Sequence, residues 1–132
     1  MTRIITFGTF DLFHIGHINI LERAKQLGDY LIVGVSSDEL NYQKKQRNPI
    51  YCFSERKKIL DSLVFTDLVF EECSLEAKRE YIKKYQADIL VMGDDWKGRF
   101  DEFQDICKVV YLPRTEGISS TEVIEKVTKM FG

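Results

Sequence analysis

Histidine is scarce in this chain of 132 residues: there are two, and both fall within four consecutive positions. Other absences bound what the chain does. No apolar run approaches the roughly 20 residues of a membrane-spanning helix, and the N-terminus lacks the apolar region of a signal peptide. Neither membrane insertion nor export is therefore expected. There is no excess of positive charge: 19 Lys and Arg stand against 21 Asp and Glu, a formal charge of −2. A general nucleic-acid binder would want a basic face, so no nucleic-acid partner is expected. The three cysteines, Cys52, Cys73 and Cys107, are odd in number, widely spaced and without a C-x-x-C pair. They read as reduced thiols of the cytoplasm, not as a disulfide frame or a zinc site. There is no internal repeat, linker or low-complexity tract. A content of 44% hydrophobic and 30% charged residues fits one globular domain over residues 1–132.

What is present centres on the stretch Gly8-Thr9-Phe10-Asp11-Leu12-Phe13-His14-Ile15-Gly16-His17. It follows Ile4-Ile5-Thr6-Phe7, which reads as a strand. It leads into a segment with Ile20, Leu21, Ala24 and Leu27 on one helical face. It is therefore a strand-to-helix turn with both histidines at the helix start. The first turn of a helix has unpaired N–H groups and the positive end of the macrodipole, which suits a phosphate. Gly16 lets the backbone approach a ligand, and each imidazole can donate to a phosphoryl oxygen. The plain alternative makes the two histidines a loop residue and a helix cap.

The remaining pattern alternates strands and helices. Strands are expected over 30–36, 68–70, 89–92 and 109–112. Ser37 or Asp38 could cap a short turn, and Tyr42 to Pro49 is expected to be a polar, basic loop, because Pro49 disfavours helix at Asn48. Ser54 is expected to cap a helix through Leu63, and Ser74 another to about Tyr85. A short helix is expected over 100–106, and Ser119 or Ser120 should cap the last one. The fold class is thus α/β: a single-domain, Rossmann-like open parallel sheet of about five strands with helices on both faces. Three marked segments follow strands: Thr9 to His17, Gly93-Asp94-Asp95-Trp96, and Arg114 to Thr121. In such sheets they converge at the carboxyl ends of the strands.

These residues carry a family resemblance. His14-Ile15-Gly16-His17 resembles the H-x-G-H motif of the nucleotidylyltransferase superfamily. Arg114-Thr115-Glu116-Gly117-Ile118-Ser119-Ser120-Thr121 resembles the R-T-x-G-x-S-[ST]-T motif of its cytidylyltransferases. With Met92-Gly93-Asp94-Asp95-Trp96 between them, the likeness runs nearly end to end and is strongest to the glycerol-3-phosphate cytidylyltransferase family. The resemblance implies that CTP and a small phosphoalcohol, sn-glycerol 3-phosphate first, give a CDP-alcohol and pyrophosphate. It also implies Mg²⁺ on the triphosphate, a homodimer, and a product used for envelope polymers such as teichoic acid or capsule. No dedicated protein metal site is visible.

By the same resemblance, His14, His17, Lys44 and Arg114 carry the chemistry. The nucleotide is bordered by Gly8, Thr9, Phe10, Gly16, Arg47, Asp94, Thr115, Gly117, Ile118, Ser119, Ser120 and Thr121, and the phosphoalcohol by Asp11, Lys44, Lys45 and Lys78. Asp95 shares the possible roles of Asp94, on ribose hydroxyls or the metal. An Asx-turn is the alternative for Asp11, and a solvated helix face for Lys78. Lys44 or Lys45 can be the first of two loop cations, with Arg47 the second. Removing either histidine is expected to abolish turnover with little loss of folding. The sequence departs from the family at Val64, where an arginine is usual, and at Leu75, where a tryptophan is. Both bear on the acceptor, so another polyol phosphate, phosphocholine or phosphoethanolamine stays open. So do an adenylyltransferase and a nucleotide-binding protein without catalysis.

Overall fold

A computed structural model describes residues 1–132. Five parallel strands form one sheet in the order β3-β2-β1-β4-β5. They are β1 (Arg3–Gly8), β2 (Tyr30–Ser36), β3 (Leu68–Glu72), β4 (Ile89–Gly93) and β5 (Lys108–Leu112). The helices are α1 (Ile15–Lys25), α2 (Asp38–Lys45), α3 (Phe53–Asp61), α4 (Lys78–Lys84) and α5 (Ser120–Phe131). The expected fold class holds.

Successive residues of a strand face opposite sides of a sheet, and β1 shows the consequence. Ile4 packs with Leu21 and Ala24 of α1 and Leu60 of α3. Ile5, its neighbour, packs on the other side with Ile82 of α4 and Phe103. Both are fully buried, as are Leu31 and Val33 of β2 and Leu90 and Val91 of β4. The continuous apolar runs of the central strands follow from burial on both faces.

Strand order reverses between β1 and β4, and these two strands stay in register only at Ile4–Ile89 and Ile5–Leu90. By contrast β1 follows β2 over its full length, from Arg3–Tyr30 to Gly8–Val35. Beyond Ile5 the Thr6 hydroxyl bridges the gap, donating to the Val91 carbonyl at 2.6 Å. The sheet therefore opens at its carboxyl edge where a ligand crevice belongs.

Several boundaries differ from the sequence reading. The segment expected as a loop from Tyr42 is helical up to Lys45, because Ser37 caps α2, its hydroxyl accepting from the Leu40 N–H at 3.0 Å. Acidic Asp38 and Glu39 then sit at its N-terminus and Lys44 and Lys45 at its C-terminus, matching the helix dipole. Gln46, left-handed at φ 60°, ends it. Helix α3 begins after Cys52 instead of Ser54, with Glu55 reaching back to the Cys52 N–H at 3.3 Å, and stops at Asp61. Ser74 caps nothing: a 3₁₀ turn over Leu75–Ala77 precedes α4. The expected helix near Phe100 is a 3₁₀ segment, Asp101–Asp105.

Arg56 of α3 is fully buried and ties the carboxyl edge together. Its guanidinium donates to the carbonyls of Tyr51 (2.9 Å), Thr9 (2.9 Å) and Ser36 (2.8 Å), and to the Asp38 carboxylate at 2.7 Å. One planar fork thus fixes the ends of β1 and β2, the start of α2 and the start of α3. Removing it strands three carbonyls, so Arg56→Met is expected to cost about 3 kcal/mol in urea unfolding. A loss below about 0.5 kcal/mol would contradict this role.

Candidate active site

The start of α1 is built by its own histidines. His14 is the N-cap, its Nδ1 accepting from the Gly16 N–H at 3.1 Å. His17 reaches back, its Nδ1 accepting from the His14 N–H at 3.1 Å. This is a capping box made of two imidazoles. Each Nδ1 is an acceptor, so the network assigns the proton of each neutral ring to Nε2. Both rings therefore present an Nε2–H donor, and they stack with centroids 3.8 Å apart. Gly16 is required here, since a Cβ would come within 2.9 Å of His14 Cε1.

Phe13 stacks on His17 at 5.2 Å and the Phe10 ring meets it edge-on at 5.4 Å. Burial, then the nearby His14, pulls the His17 pKa from its ordinary 6.5 down to about 4. Burial, then the Arg114 charge, lowers that of His14 as well. Both rings are neutral near pH 7, as the double cap requires.

The loop between β1 and α1 holds Phe10 at φ 54° and Leu12 at φ 48°, left-handed backbone that costs an ordinary residue about 1–2 kcal/mol. Asp11 stabilises it. Its carboxylate accepts from the N–H groups of Ile50 (2.7 Å), Tyr51 (2.9 Å) and Leu12 (3.1 Å). Asp11 also has a structural role at the cleft wall: both oxygens hold the chain that leads into α3. The Thr9 hydroxyl is likewise held, donating to Asn41 of α2 at 2.9 Å.

A cleft of about 840 Å³ opens above these groups. Its walls include Gly8, Thr9, Phe10, Asp11, His14, Gly16, His17, Lys44, Lys45, Arg47, Lys78, Arg114, Thr115, Ile118, Ser119, Ser120 and Thr121. All were singled out from sequence. Asp94 and Gly117 were too, but neither lines the cleft. Asp95 does so in place of Asp94, because Asp94–Trp96 forms a 3₁₀ turn after β4. Gly117 is left-handed at φ 76° and turns the chain toward α5. Of the two family departures, Leu75 lines the cleft, whereas Val64 is 95% exposed and outside it.

A second helix N-terminus faces the first. Ser119 caps α5 by accepting from the Glu122 N–H at 3.1 Å, and the Ser120 hydroxyl donates to the Asp11 carbonyl at 2.6 Å. Asn19 of α1 donates to the Thr115 hydroxyl at 2.8 Å. Arg114 stands half-exposed, its nearest acid Asp95 at 3.9 Å. Lys44 and Lys45 are both exposed residues, but the Lys44 ammonium reaches in to donate to the Ser36 hydroxyl at 3.0 Å. Burial lowers the Lys44 pKa, opposed by Glu72. Lys78, open to a solvated reading in sequence, is buried and paired with Glu72 at 2.6 Å. Ser36, Asn41 and Glu72 are cleft residues that the sequence reading missed. Ser36 and Glu72 end β2 and β3, so the carboxyl-edge rule could have found them.

Two helix starts, two imidazole donors and an Arg around one crevice suit the phosphates of a nucleotide, with a cationic extension beside them for a second anion. The class this fold and site define is a nucleotide-binding α/β protein equipped for transfer between phosphates. Known proteins agree. A cytidylyltransferase-like family model matches residues 5–126, and the chain belongs to that family. It is 52% identical over 127 residues to the glycerol-3-phosphate cytidylyltransferase of Bacillus subtilis (strain 168), covering 96% of this chain and 98% of that one. The enzyme of the same name from Staphylococcus aureus (strain NCTC 8325 / PS 47) is 46% identical, covering 96% of each. In fold, the chain matches a lipopolysaccharide core biosynthesis protein from Thermoplasma volcanium GSS1 with a TM-score of 0.76, at 24% identity, over 88% of this chain and 99% of that one.

The double cap predicts a pH dependence of stability. Above pH 6.5 His17 is neutral in both folded and unfolded chains. Below it the unfolded chain takes up a proton that the folded one refuses until about pH 4. Urea midpoints should therefore fall as pH drops from 6.5 to 4, and His17→Gln should flatten that fall; an unchanged slope would contradict the assignment. Because each ring caps the helix, His14→Ala and His17→Ala should each cost about 1 kcal/mol, more than the sequence reading expected.

Proposed function

We propose that the chain transfers the cytidylyl group of CTP to sn-glycerol 3-phosphate, giving CDP-glycerol and pyrophosphate. The observation that carries the reading is the 52% identity to an enzyme of that name across almost the whole of both chains. The geometry supports it. A phosphate oxygen of the acceptor bonds to the α-phosphorus, and the bond from that phosphorus to the β-phosphate bridging oxygen breaks. Two anions must approach, so the chain has to supply position and positive charge more than a covalent nucleophile.

The Nε2–H groups of His14 and His17 and the α1 N-terminus hold the triphosphate and the charge that builds on its oxygens. Arg114, Ser119, Ser120 and Thr121 with the α5 N-terminus take the leaving pyrophosphate. Lys44 and Lys45 bring the acceptor phosphate toward the α-phosphorus, with Arg47 closing over the triphosphate. Lys78 lies on the acceptor side. Magnesium enters as part of the substrate, as the MgCTP complex; no three His, Cys, Asp or Glu side chains gather to hold an ion by themselves. Mg²⁺ screens the phosphate charge in that complex. The working form is a homodimer in the cytoplasm, and the product feeds an envelope polymer such as teichoic acid or capsule. No helix is long and apolar enough to cross a membrane.

The test is pyrophosphate release with Mg²⁺, crossing CTP and ATP against a panel of phosphoalcohols. Release is expected with CTP and sn-glycerol 3-phosphate, and His14→Ala or His17→Ala should lower kcat at least about 100-fold. A preference for ATP, or no release with any pair, overturns the reading.

A further inference from the structure

Beyond the nucleotide-facing residues, the cleft ends in a buried ion pair. Glu72 is 1% exposed and Lys78 6%. Glu72 Oε2 accepts from Lys78 Nζ at 2.6 Å. The Lys78 ammonium also sits over two aromatic faces, 4.7 Å from the Phe7 centroid and 5.9 Å from that of Phe100. All four side chains line the cleft.

A carboxylate beside two aromatic faces is the chemistry that recognises an ammonium group. Here that place is filled by an ammonium the chain brings itself. We propose that Lys78 occupies, from within, the position an ammonium-bearing acceptor would need, and that the Glu72–Lys78 pair is thereby an acceptor filter. It admits hydroxyl-bearing phosphoalcohols and rejects phosphoethanolamine and phosphocholine. This rests on the cytidylyl-transfer reading above and adds to it the feature that selects the acceptor. The pair is neutral as a unit, so it does not repel an anionic acceptor as a lone carboxylate would. Lys78 has N–H groups beyond the one given to Glu72, and a carboxylate keeps lone pairs beyond the one it has used. Donors and an acceptor side by side match a hydroxyl, which needs both. An acceptor that carries a cation meets a like charge and no open aromatic face.

Lys78→Ala empties the position and leaves Glu72, Phe7 and Phe100 in place. With CTP saturating, kcat/KM is measured for sn-glycerol 3-phosphate, phosphoethanolamine and phosphocholine in both proteins, with urea unfolding of each. Wild type is expected to use glycerol phosphate and not the two ammonium compounds. In Lys78→Ala the ratio of phosphoethanolamine to glycerol phosphate should rise at least about tenfold, with KM for CTP within about twofold of wild type. An unchanged ratio in the folded variant overturns the filter, as does wild-type turnover of phosphoethanolamine comparable to that of glycerol phosphate. Should Lys78→Ala unfold because Glu72 is left buried and unpaired, Lys78→Gln keeps an N–H donor for the carboxylate without the charge. Its ratio should also rise, by about threefold or more, since the like charge is gone and the carboxylate remains; no rise overturns the proposal. Wild type that turns over no glycerol phosphate at all defeats the cytidylyl-transfer reading itself, whereas wild-type turnover with an unmoved variant ratio defeats the filter alone.

Discussion

The start of α1 is closed by the two imidazoles that the ligand site needs. His14 Nδ1 takes the Gly16 N–H and His17 Nδ1 takes the His14 N–H, each at 3.1 Å. A capping residue usually satisfies a helix and does nothing more. Here the cap also sets the tautomer. Both Nδ1 atoms are engaged as acceptors, so both Nε2 atoms carry protons. Gly16 is the one residue that lets the His14 ring fold over the helix end. A hydrogen-bond constraint on the backbone is thus converted into two fixed donors for phosphate oxygens.

That arrangement depends on a loop the chain would not adopt alone. Phe10 and Leu12 lie in left-handed backbone, and three parts of the fold hold them there. Asp11 binds the backbone N–H groups of Ile50 and Tyr51. Arg56 grips the Thr9 carbonyl from α3. Ser120 grips the Asp11 carbonyl from α5. Arg56, through Asp38, and Ser120, through the Asp11 carbonyl, also bring α2 and α5 to the crevice where β1 and β4 part. Positioning the histidines and assembling the cleft are therefore one event, and loss of Arg56 or Asp11 would loosen both.

How much of this was legible in the sequence follows from how local each feature is. The strand, turn and helix from Ile4 to Leu27 carry their own apolar spacing, so that unit and the parallel sheet could be read directly. The caps of α2 and α5 were readable to within one residue, as Ser37 or Asp38 and Ser119 or Ser120, because a capping hydroxyl acts locally. The extent of α2 was not, because a proline constrains only its immediate neighbour and the polar Tyr42-Gln43-Lys44-Lys45 can be helix or loop. The structural role of Asp11 was not legible either, because nothing local shows that residues 50 and 51 donate to its carboxylate. For Lys78, placed on the acceptor side by resemblance, a charged helix left a solvated face open as the alternative; its burial against Glu72 and Phe7 joins α4 to the ends of β3 and β1. Of the two acids after Gly93, only the fold tells which one faces the cleft.

The claim on which the account turns is that two neutral histidines cap α1 through Nδ1 and present Nε2–H to the nucleotide. The direct measurement is the ¹⁵N and ¹H spectrum of the two imidazoles, followed from pH 7.5 to 4 and on addition of CTP with Mg²⁺. Neutral Nε2–H rings are expected at pH 7, with His17 titrating near pH 4, His14 below 6.5, and both Nε2–H signals moving when CTP binds. An Nδ1–H tautomer, a His17 that titrates at its ordinary 6.5, or Nε2–H signals indifferent to CTP would contradict it.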